Sequence, residues 1–150
     1  MVDEYHQYEE ACRRIREENA KLLIDFGDWL KRKGLSEKTR CQHVANIDLY
    51  VNEFLLYEDA TEAVEGPCHV GMFLGYWFIK KAMWSSESSI RSNAASLKKF
   101  YEFMHERGLV SEEALKEMRE QIKEELPEWL ATMRRYSDPS ITDPEDIWGI

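Results

Sequence analysis

The sequence predicts an all-α chain of one domain, and three observations predict it. Prolines fall only at 67, 127, 139 and 144, with seven glycines in 150 residues, so long stretches run without a breaker. Helices tolerate such stretches, whereas a many-stranded β fold needs more turns. Apolar residues recur at helical spacing along most of the chain, and strand-like alternation is negligible. Hydrophobic residues make up 43% of the chain, with five Trp, seven Tyr and six Phe, ample for one core at this length.

The first helix is expected from about residue 8 to Lys33, with Ile15, Leu22, Leu23, Phe26, Trp29 and Leu30 on one face. Lys31, Arg32 and Lys33 suit the negative end of its dipole, and Gly34 suits the position just beyond it. Ser36 reads as the N-cap of a second helix carrying Val44, Ile47, Val51, Phe54 and Leu55, with the Thr39 hydroxyl close to its first turn. Residues 57–66 form an acidic connection. A third helix follows Pro67 and is apolar nearly all round from Val70 to Ile79, which places it centrally; it is expected to end near Trp84.

Ser85 to Ser89 supply the cap of a fourth helix, with Ile90, Ala94, Leu97, Tyr101 and Met104 inward and Gly108 as its end. Ser111 opens a fifth, carrying Leu115, Met118, Ile122 and Leu126. Pro127 lacks an N–H and is expected to break or restart that helix, leaving Trp129, Leu130 and Met133 as a last short face. Residues 1–135 thus form a single helical bundle, followed by an irregular acidic tail over 136–150.

The formal net charge of −9 speaks against a general nucleic-acid binder, but the acidity is local. Residues 1–35 hold eight acids and seven bases, 36–108 hold ten and eight, and 109–150 hold eleven and five. Five of the ten middle acids (Glu53, Glu58, Asp59, Glu62, Glu65) sit in or beside the one connection. The N-terminus lacks a basic region followed by an apolar run, and no stretch approaches eighteen apolar residues, so no membrane partner is expected. Three cysteines (Cys12, Cys41, Cys68) without paired spacing read as free thiols in a reducing compartment, hence a cytoplasmic protein. Cys41 and His43 with Cys68 and His69 lack the spacing of a metal site, and neither a metal nor another cofactor is expected.

Two segments carry a family likeness. Gly34-Leu35-Ser36-Glu37-Lys38-Thr39-Arg40, leading into Val44, Ile47, Tyr50, Phe54 and Leu55, resembles the opening of the N-terminal core-binding domain of tyrosine recombinases (phage integrases). Ser86 to Met104, with its core Ser96-Leu97-Lys98-Lys99-Phe100-Tyr101-Glu102-Phe103, is similar to the last long helix of the same domain. The likeness spans roughly residues 15 to 110. It implies an orthogonal, SAM-like bundle of four to five helices gripping one face of duplex DNA. The implied contacts are Ser36, Lys38, Thr39, Arg40 and His43 at the start of the second helix. On the fourth they are Ser86, Ser89, Arg91, Asn93 and Lys98. Hydroxyl-capped helix starts offer N–H groups to phosphates, and the bases add charge. Positions 91–95, often doubly basic in the family, read Arg-Ser-Asn-Ala-Ala here, so the implied grip is weak and salt-sensitive.

The catalytic set of that family is not found in this chain. Strand cleavage there needs a tyrosine nucleophile, two arginines and a His-x-x-Arg element, and none of His6, His43, His69 or His105 has Arg three residues on. Arg134-Arg135-Tyr136 reads as a solvated helix end. Asp138 to Ile147 resembles the linker and helix cap with which integrase catalytic domains open; equally, it is an acidic tail whose Trp148 docks on its own bundle or a partner. The likeness therefore implies a non-catalytic DNA-binding module, accessory to a site-specific recombinase or the N-terminal part of one. The alternative is a protein-interaction bundle, homodimeric or with another partner, that kept the fold and lost the DNA.

Overall fold

The computed structural model describes residues 3–149, and among these every regular element is helical. Helix α1 (Glu4–Arg32) starts four residues earlier than its apolar face requires, because the Asp3 carboxylate accepts the His6 N–H at 2.7 Å and caps it. Gly34, at φ +87°, lets the chain reverse into α2 (Glu37–Leu49), whose cap is the Ser36 hydroxyl. The helical path of α2 widens into a π turn over Tyr50–Phe54, where the Leu55 N–H reaches back five residues to the Tyr50 carbonyl at 3.0 Å. Buried Asn19 of α1 donates to the Val51 carbonyl at 3.2 Å and to the Asn52 side chain at 2.8 Å, supplying a partner where the ladder ends.

The third helix is less regular than its apolar run suggests. A 3-10 segment (Ala63–His69) opens it, and α3 then comprises Val70–Met72, a π turn over Phe73–Trp77, and Phe78–Lys81. It stops at Lys81, short of the Trp84 expected from sequence: Ala82 turns to extended backbone, and the Ser85 hydroxyl takes the Ile79 carbonyl. Helix α4 (Glu87–Glu106) begins with a reciprocal capping box between Ser86 and Ser89.

Helix α5 (Glu112–Ser137) overturns the expectation at Pro127, since it passes through that residue unbroken. Pro127 is exposed, so the carbonyl it leaves without a donor lies on the solvent side. The proline's penalty of about 3 kcal/mol is offset by burying Trp129, Leu130 and Met133 beyond it, each worth about 1.5–3 kcal/mol. The tail is less irregular than expected, while its Trp148 docks on the chain's own bundle, one of the two readings the sequence allows. It contains a short helix α6 (Pro144–Trp148), and Trp148 packs 4.8 Å from the Tyr76 ring of α3 and 6.0 Å from that of Tyr136. Among the described residues no helix is long and apolar enough to cross a membrane.

Two aromatic groups hold the bundle. Phe26 and Trp29 of α1 meet Phe100 and Phe103 of α4, with an edge-to-face contact at 5.2 Å between Phe26 and Phe100. Tyr50, Phe73 and Tyr101 join α2, α3 and α4. Both tyrosines are buried, and burial pushes their phenols well above the ordinary value, so they stay protonated donors. Tyr50 donates to the Gly66 carbonyl at 2.6 Å and Tyr101 to that of Ala63 at 2.9 Å, fixing the 3-10 segment onto the core. A Cβ on Gly66 would stand 2.0 Å from the Tyr101 oxygen and 3.1 Å from the Tyr50 ring. Gly66→Ala is therefore expected to destabilise the fold by about 1–3 kcal/mol, lowering Tm by several degrees. An unchanged Tm in a thermal melt would mean the segment is not seated on these two phenols.

Candidate nucleic-acid interface

The DNA contacts implied by the family likeness lie on α2 and α4, and a polar seam sets how these two helices meet. His43 Nδ1 lies 2.7 Å from the Ser96 hydroxyl, and the Asn46 amide donates to Ser96 at 2.9 Å and Ser92 at 3.0 Å. The Ser96 hydroxyl in turn donates to the Ser92 carbonyl at 3.1 Å. All contacts of the Ser96 oxygen are satisfied together when His43 carries its proton on Nδ1. The two helices thus meet where His43 and Asn46 face Ser92 and Ser96, and Tyr50, further along, meets Tyr101 at 6.5 Å.

That geometry separates the sequence-predicted residues. The start of α4 is bordered by Arg134 and Asp138 from the end of α5. Lys38, Thr39, Arg91 and Lys98 are exposed. Ser36 and Ser89 are committed to their caps, accepting the Thr39 N–H at 3.3 Å and the Ser86 N–H at 2.8 Å. Arg40 is half-buried and turns to the other side of α2: it donates to the Leu35 carbonyl at 2.6 Å and lines a groove against α1 with Asp28, Lys31 and Asp48.

Two of the ten residues are corrected. His43 is 8% exposed and Asn93 only 2%, so neither reaches an external phosphate. The Asn93 amide donates to the Ser89 carbonyl at 2.8 Å instead. Burial first, and the Lys99 ammonium second, lower the His43 pKa below its ordinary value. Asn46, Ser92 and Ser96 were not singled out from the sequence. The signal that marks them is the Ser92/Ser96 spacing of four, facing His43 and Asn46 at a spacing of three.

Charge is distributed unevenly over the pair. Helices α2 and α4 carry five acids and five bases. Three of the acids are matched from elsewhere: Glu87 by Arg134 at 2.9 Å, Glu102 by Arg119 at 3.4 Å and Glu106 by Lys33 at 4.0 Å. Such exposed pairs add little stability, about 0–1 kcal/mol each, but they cancel charge. Among the described residues Lys38, Arg40, Arg91, Lys98 and Lys99 form no ion pair, against only Glu37 and Asp48 left unmatched.

Elsewhere, Arg134 and Arg135 hold structure, the second binding Glu128 at 2.9 Å and the Ile147 carbonyl at 2.9 Å. Cys12 is buried and Cys41 and Cys68 are exposed, all three free. No group of three His, Cys, Asp or Glu among the described residues could hold a metal ion. No family profile, curated protein or solved structure matches the chain.

The seam makes a pH prediction. The unfolded chain takes up a proton on His43 near pH 6.5, whereas the folded protein resists it to lower pH, so stability falls as pH drops below about 6.5. Melts between about pH 7.5 and 5.5 should show a loss that is reduced in His43→Gln. An identical slope in that variant would assign the loss to other groups.

Proposed function

We propose that this chain is a non-catalytic DNA-binding module, accessory to a site-specific recombinase or the N-terminal part of one. Its outer α2–α4 face meets the phosphates of duplex DNA. The observation that carries this reading is the set of unpaired bases on that face: Lys38 on α2 with Arg91, Lys98 and Lys99 on α4, while the acids of α4 are matched by bases from other helices. Contacts of this kind are electrostatic and position a protein on DNA without reading its sequence. Two features support the recombinase likeness alongside the charge: the hydroxyl-capped starts of α2 and α4, and the lateral packing of these two helices. The net charge of −9 keeps the expected affinity low, because the negative field of the whole protein opposes the approach of a polyanion.

Fluorescence anisotropy on a random duplex tests the reading. Four phosphate contacts give a slope of about −3.6 in log affinity against log salt. Lys38→Glu with Lys98→Glu is expected to flatten that slope by about two and weaken binding at least about tenfold, with Tm unchanged. Arg40→Glu, on the far side of α2, should weaken it less. A flat titration of the wild type at low salt would remove the DNA reading.

A further inference from the structure

A groove of about 490 Å³ lies between α3 and the loop that follows the π turn of α2. Phe54, Leu55 and Trp77 line it, Met72 and Tyr76 stand along its α3 side, and its two sides carry opposite charge. On the loop are Glu58 and Asp59; on α3 are Lys80 and Lys81. None of these four forms an ion pair among the described residues, although all four line the same groove. Lys80 instead donates to the Tyr76 hydroxyl at 3.2 Å, and Lys81 lies 5.1 Å from the centre of the Tyr57 ring. Around them large apolar side chains lie open to solvent on the same groove: Met72 is 61% exposed and Tyr57 53%. Just past the end of α3, Met83 is 98% and Trp84 60% exposed.

We infer that this groove is an interface for a second copy of the chain, paired by a two-fold axis. In a two-fold interface each patch meets itself, and with the axis running along the groove each wall meets the opposite wall of its partner. A face with an acidic wall beside a basic wall is complementary to its own rotated copy: Glu58 and Asp59 of one protomer meet Lys80 and Lys81 of the other, twice. Met72, Tyr76 and Tyr57 then fill the centre, as aromatic residues and Met do in interface cores, while the charged residues form the rim and fix register. Lys81 can meet a carboxylate without leaving the Tyr57 ring, and Lys80 keeps two further donors beside its bond to the Tyr76 hydroxyl. The inference does not depend on the DNA reading, since no residue of the groove belongs to the α2–α4 basic face.

Light scattering across low to several hundred micromolar protein tests it, together with two charge-reversed variants, Lys80→Glu/Lys81→Glu and Glu58→Lys/Asp59→Lys. The wild type is expected to rise from 17.8 kDa towards twice that mass. Each variant alone places like charges against like and should dimerise at least about tenfold more weakly. An equimolar mixture of the two restores opposite charge at every contact and should recover the wild-type mass. Circular dichroism confirms that each variant is folded before its mass is read. A wild type that stays at 17.8 kDa at every concentration overturns the proposal. So does a mixture of folded variants that remains monomeric, which would assign the groove to a partner of different chemistry.

Discussion

Two buried phenols organise this bundle. Tyr50, on the π turn that extends α2, and Tyr101, on α4, donate to the carbonyls of Gly66 and Ala63, and between them they seat the 3-10 segment that launches α3. An unpaired carbonyl at that depth would cost about 1–3 kcal/mol, so the segment has few other low-energy positions. Gly66 is the corollary, because the Tyr101 oxygen occupies the space a side chain would need. With this segment held, α3 lies against both α2 and α5, and the acidic loop between residues 57 and 62 is pushed outward beside it.

The widened turns follow from the same constraint. Tyr50 and Phe73 each begin a π turn, and their rings meet at 4.9 Å. A π turn shifts every following residue around the helix axis, which brings Phe54 and Trp77 to 5.5 Å from each other in place of the faces a regular helix would present. The groove beside α3 is thus a consequence of how the core aromatics pack. Asn19 closes the arrangement from α1 by taking a carbonyl at the end of α2.

Electrostatics and burial divide the surface into regions with different capacities. The α2–α4 seam is polar and largely buried, so the protonation of its histidine couples to stability. Outside the seam, bases from α1 and α5 neutralise the acids of α4 and leave a basic strip on a protein whose formal charge is −9. Near α3 the opposite holds: acids and bases share one groove without pairing. Net charge alone describes neither region, because fields near a surface depend on which charges are cancelled locally.

Much of the fold was legible in the sequence. The apolar spacing marked all five long helical segments, and Ser36, Ser86 and Ser111 marked their starts, because caps and amphipathic faces are local properties of the chain. Of the ten residues implied as DNA contacts, the outward positions of Lys38, Thr39, Arg91 and Lys98 follow from the same helical phase. Three matters were decided only by tertiary structure. Pro127 stays within α5 because burial beyond it outweighs a lost hydrogen bond. His43 is interior because α4 packs on its side of α2, with Ser96 2.7 Å from its ring, and Asn93 is covered by the surrounding bundle. Opposite charges, from the loop after α2 and from α3, line one groove. Sequence periodicity determines which face of a helix is apolar, but the register and neighbours of each helix depend on contacts between residues distant in sequence, and these no local pattern encodes.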